Sequence, residues 1–68
     1  MKLINKKVKH IVFGDGKVIN QEAQRITVQF SEQYGAKQFV YPNVFGKYLK
    51  LYDANLETAV VQELLSKL

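Results

Sequence analysis

The chain has 68 residues, 47% hydrophobic and 24% charged, with four Phe, four Tyr and no Cys. That length holds one domain with a small core, the aromatic content argues against disorder, and the lack of cysteine excludes disulfide staples and thiolate metal sites. The net charge of +4 is uneven: nine basic against three acidic groups give +6 in residues 1–50, and Lys67 against Asp53, Glu57 and Glu63 gives −2 in residues 51–68. A basic front suits a phosphate backbone or an acidic protein surface, while a few excess lysines also serve solubility alone.

No apolar run of signal-peptide length follows Lys2, and no stretch approaches the roughly 18 apolar residues that cross a bilayer. The expectation is a cytoplasmic protein with no membrane partner.

The first fifty residues read in steps of two. Val8, His10 and Val12 share one face of an extended segment, and Lys9, Ile11 and Phe13 the other. Gly14-Asp15-Gly16 is expected as the turn, because glycine reaches positive φ without steric cost. Lys17-Val18-Ile19-Asn20 resumes the strand, and Gln21-Glu22-Ala23-Gln24 makes the next turn. In Arg25–Phe30 the apolar Ile26, Val28 and Phe30 alternate with the wetter Arg25, Thr27 and Gln29. A loop over Ser31–Ala36 leads to a strand at Lys37–Tyr41, which Pro42 ends because it has no N–H for the ladder. Asn43–Tyr48 predicts one helical turn, and Leu49-Lys50-Leu51-Tyr52 alternates again. Short strands with tight turns predict a mainly β domain, a small five-stranded barrel over about residues 7–52, whose closure would hide its edges.

After Tyr52 the period changes to that of a helix, expected over about residues 54–67. Asp53 or Asn55 can cap it, with Glu57 in the first turn and Lys67 in the last, both of the sign that the helix dipole favours. Leu56, Val60, Val61, Leu64, Leu65 and Leu68 sweep roughly half its circumference. This amphipathic helix either covers an open side of its own barrel or leaves Val61, Leu65 and Leu68 exposed as a dimer or partner face. Neither repeats nor linkers break the chain, so one domain over residues 1–68 is expected.

Little in the residues points to catalysis. His10, the one histidine, lies in line with Val8, which predicts a packed structural role. With no second histidine and no cysteine, a zinc site has no ligand set. Ser31 and Ser66 lack an activating base, the carboxylates are scattered, and Gly14-Asp15-Gly16 lacks the helix and lysine of a phosphate loop. The expectation is a non-enzymatic chain without a cofactor. Phe13, Phe30, Phe39 and Phe45 are expected in the core. Tyr34, Tyr41, Tyr48 and Tyr52 are expected at the surface, where tyrosines beside Lys37, Lys47 and Lys50 can stack on bases, line a peptide groove or simply complete the scaffold.

The run Val8-Lys9-His10-Ile11-Val12-Phe13-Gly14-Asp15-Gly16-Lys17-Val18, followed by Ile26-Thr27-Val28-Gln29-Phe30, resembles the start of the Tudor-like domain at the C-terminus of UvrD/PcrA-type bacterial helicases. It resembles the N-terminal domain of CarD-type transcription regulators more loosely. Lys37–Phe45 is similar to the closing strand and short turn of small bacterial proteins with this pattern. The resemblance spans residues 8 to about 51 and leaves out the C-terminal helix. It implies an SH3/Tudor-like barrel and a protein-binding role, docking to RNA polymerase or to another transcription or repair partner such as a helicase. Lys9, Lys17, Arg25, Tyr34, Lys37 and Tyr48 are the candidate contacts. Two alternatives stay open: nucleic-acid binding by the same basic face, and a small homodimer built through the helix.

Overall fold

In the computed structural model, which describes residues 2–66, the alternating segments form β1 (Lys7–His10), β2 (Gly14–Gln21), β3 (Arg25–Gln29), β4 (Ala36–Val40) and β5 (Leu49–Leu51), followed by helix α1 (Ala54–Ser66). The expected roles of Lys67 and Leu68 lie outside the described residues. The strands make one antiparallel sheet in the order β4-β3-β2-β1-β5, curled into a half-barrel. A mainly β fold of five strands and a C-terminal helix is what the periodicity predicts, and the curled sheet is compatible with the SH3/Tudor-like class.

Period-two alternation decides which side of the sheet is dry. Val8, Val18, Ile26 and Val28 are fully buried on the inner face, with Phe30, Leu49 and Leu51 beside them. The β-branched residues fit the pleated surface, and each of these large apolar side chains contributes roughly 1.5–3 kcal/mol on burial. Arg25 and Gln29 stand exposed on the opposite face. Leu3, ahead of the first expected strand, is also fully buried. It is held there by its amide N–H, which donates to Gln21 Oε1 at 2.7 Å. Gln21 reaches inward because the register slips at Ile19, where Val18 pairs with Val28 but Asn20 with Thr27. The extra residue of this bulge returns Gln21 to the inner side.

The first turn falls earlier than expected. Ile11–Phe13 form it, and Gly14-Asp15-Gly16 lie inside β2, with Gly16 opposite Val8. The cause is His10, whose Nδ1 accepts the amide hydrogens of Val12 at 3.0 Å and Phe13 at 3.3 Å and closes the chain on itself. Gly14 leaves the turn at a φ of 78°, a region that side chains disfavour. Val12 therefore misses the inner face and is 65% exposed.

The sheet also does not close on itself, contrary to the expectation that a barrel hides its edges. β4 and β5 are its two ends. A 3-10 turn at Asn43–Gly46, the one helical turn that the sequence predicts, connects them, and Phe45 and Val44 from it enter the core. Asp53 caps the helix, its Oδ1 accepting the amide hydrogens of Asn55 and Leu56 at 3.0 and 3.1 Å. The helix packs on the 3-10 turn and on β5, with Val60 fully buried. Glu57 adds a tie, since its Oε1 accepts the Leu51 amide hydrogen at 2.9 Å.

Candidate binding surface

On its outer face the sheet carries cations in register. Lys7 on β1 lies across from Lys17 on β2, and Lys9 on β1 lies across from Lys50 on β5. All four are exposed. Strands are about 4.8 Å apart, so these charges crowd within three adjacent strands. Asp15, paired with Lys9, is the one carboxylate among the described strand residues of that face, and it accepts a hydrogen bond from the Tyr52 hydroxyl. That bond and the nearby negative charge hold the Tyr52 phenol above its ordinary pKa.

Next to the lysines runs an open groove of about 860 Å³ between β1, β5 and the start of α1. Lys9, Lys47 and Lys50 line it together with Tyr48, Tyr52 and Ile11. Ile11, Tyr48 and Tyr52 are among the most exposed large apolar side chains of the molecule. Such a groove offers cations and aromatic faces to one ligand.

A second group gathers around His10, which is only 6% exposed. Its ring lies 4.6 Å from Phe13, 5.3 Å from Phe39 and 6.1 Å from Tyr48 between centroids. Tyr34 packs on Phe13 at 5.0 Å, and the Lys37 ammonium sits 5.2 Å from the Phe13 ring centre, within range of a cation–π attraction. Burial lowers the pKa of His10, so a neutral ring accepts at Nδ1 and serves the turn. The histidine is packed and hydrogen-bonded.

The six candidate contacts thus divide. Lys9, Lys17 and Arg25 stand on the outer face, whereas Tyr34, Lys37 and Tyr48 surround the aromatic cluster. Tyr48 and Lys9 meet again in the groove. Lys7 and Lys50 complete the cationic pairs but are not among those six, Lys50 being expected only beside the surface tyrosines, because cross-strand register is invisible until strands are paired. Of the expected surface tyrosines, Tyr41 is buried at 5% exposure, and its hydroxyl donates to Glu63. On the helix Val61 is half-buried and Leu65 is 59% exposed, while Leu68 is not described.

Among the described residues, no three His, Asp or Glu side chains are grouped to hold a metal ion, and no helix is long and apolar enough to cross a membrane. No protein family model, curated protein or solved structure matches the chain.

Proposed function

We propose that this chain is a non-enzymatic interaction module that docks onto an acidic surface of a partner protein through the lysine-bearing outer face of its sheet. The observation that carries this is the register: Lys7 faces Lys17 and Lys9 faces Lys50. Like charges directly opposite each other on a sheet oppose folding, so their placement favours a role outside the fold, and a carboxylate-rich surface relieves the repulsion. The resemblance to helicase and transcription-regulator domains supports RNA polymerase or a repair helicase as that partner, met inside the cell.

Charge reversal separates the two effects. Lys17→Glu converts a repelling cross-strand pair into an attracting one, so the variant is expected to unfold at an equal or slightly higher urea concentration. The same variant, combined with Lys9→Glu, is expected to weaken binding to purified RNA polymerase or UvrD-type helicase by about tenfold or more, as loss of several interface charges does. Wild-type protein that binds neither, or binding indifferent to the reversal, removes the proposal.

A second reading is favoured by the groove, where Tyr48 and Tyr52 stand exposed among Lys9, Lys47 and Lys50. Aromatic platforms beside cations are how single strands are bound. In that case a single-stranded oligonucleotide binds with an affinity that falls steeply between about 50 and 200 mM salt, as counterion release requires. No binding at the lower salt discards this reading.

A further inference from the structure

One end of the sheet is left unguarded. The Tyr41 amide donates to the Gln24 carbonyl at 3.0 Å, and the Phe30 amide donates to the Gly35 carbonyl at 2.9 Å. Antiparallel ladders alternate, so Gly35, Lys37, Phe39 and Tyr41 bond toward β3. The backbone N–H and C=O groups of Ala36, Gln38 and Val40 then point away from the sheet. No other described segment bonds to these three residues.

Edge strands are ordinarily blunted by an outward lysine, a proline or a covering element. Here the one lysine of β4, Lys37, turns inward onto the Phe13 ring. The exposed side chains of Ala36, Gln38 and Val40 carry no charge, and Val40 is 50% exposed. Val40 leads into a largely apolar groove of about 560 Å³ that also includes Phe39, Val44, Leu64 and Leu65, with Lys47 and Tyr48 on its wall.

The strand is complementary to itself. Turned about a twofold axis at Gln38, it places Ala36 opposite Val40 of the second copy and Gln38 opposite its own counterpart. That register matches every outward N–H with an outward C=O, about six hydrogen bonds in all. It also sets Lys37 opposite Phe39 of the second copy, so no lysine meets a lysine across the seam. In a chain of net charge +4 this edge keeps the cations apart. On the outer face the cation nearest the seam is Arg25 on β3, across from Val40. Three strand spacings separate it from its counterpart in the second copy, roughly 14 Å, which exceeds the Debye length of about 8 Å in physiological salt. Lys17 on β2 and the lysines of β1 and β5 lie farther from the seam.

We propose that the chain forms a homodimer through β4, two copies pairing antiparallel about Gln38 into one continuous sheet, with Val40 and the apolar groove at the seam. This differs from a dimer built on the helix, and the two are separable by mutation. Gln38→Pro deletes an outward N–H and leaves the β3 ladder intact, and Val40→Lys installs the missing gatekeeper charge. Sedimentation equilibrium of the wild type is expected to give a dimer, and each variant a dissociation constant raised about tenfold or more. Circular dichroism checks that the variants fold, and Val40→Lys decides alone if the proline does not. A wild type that stays monomeric at about 1 mM overturns the proposal. So does a dimer that withstands both edge variants and is lost only in Leu65→Glu.

Discussion

The Tyr41 hydroxyl donates to the Glu63 carboxylate at 2.7 Å, fastening the end of β4 to the C-terminal helix. The two residues are 22 positions apart in the chain, and β4 and α1 meet little elsewhere. Burial, together with the bond and the charge of Glu63, pushes the phenol well above its ordinary pKa, so it stays a donor at any physiological pH.

Tyr41→Phe keeps the buried ring and removes the donor. A hydrogen bond to a charged acceptor is worth about 1.5–3 kcal/mol, less where water reaches the carboxylate, and Glu63 is only half-buried. The expected loss is therefore about 1–2 kcal/mol, read as a lower urea midpoint. An unchanged midpoint means that packing on the 3-10 turn and β5, with the Glu57 tie, holds the helix without this bond.

His10 ties stability to pH. Burial holds its pKa below the ordinary 6.5, so the unfolded chain takes up the proton first as the solution is acidified. Its contribution is complete above the ordinary value and is lost as pH falls from there through the lowered folded value. Protonation at Nδ1 also ends its role as acceptor for Val12 and Phe13. The wild type is expected to lose stability as pH falls below about 7, and His10→Asn, which keeps a short acceptor without titrating there, is expected to lose less. Equal pH profiles for the two proteins would show that the histidine is not the linked group.

Gly16 lies where the core leaves no room for a side chain. A Cβ there would lie 2.6 Å from Val28 Cγ1 and 2.8 Å from the Phe30 ring, contacts that real side chains do not tolerate. Gly16→Ala is expected to cost about 1–3 kcal/mol, as overpacking of a filled core does. Thermal denaturation measures it, and a variant as stable as the parent would mean that β2 and β3 separate easily.

Local pattern and tertiary contact left different marks on this molecule. Arg25–Gln29 was legible because Ile26 and Val28 repeat at two residues between polar neighbours, and its buried face follows. The Asp53 cap and the inward Val60 were legible for the same reason, since both depend on residues within one or two turns. The first hairpin was misplaced because two glycines flanking an aspartate look like a turn, and only the reach of the His10 ring to the Val12 amide moves it forward. Leu3 and Tyr41 carry no local sign of burial, because the core they join and the bonds to Gln21 and Glu63 that hold them there come from residues distant in sequence.

Composition and periodicity by themselves determine a small mainly β domain, a terminal amphipathic helix and a basic front, because hydrophobic burial acts on alternation and charge is simply counted. They also supply most of the candidate contacts as residue types. What only the tertiary structure decides is adjacency: which lysines face each other, which aromatics ring His10, and which edge of the sheet is left unpaired. Those depend on strand order and register, and register is set by a bulge at Ile19 and a turn at Ile11–Phe13, where a shift of one residue exchanges the inner face for the outer.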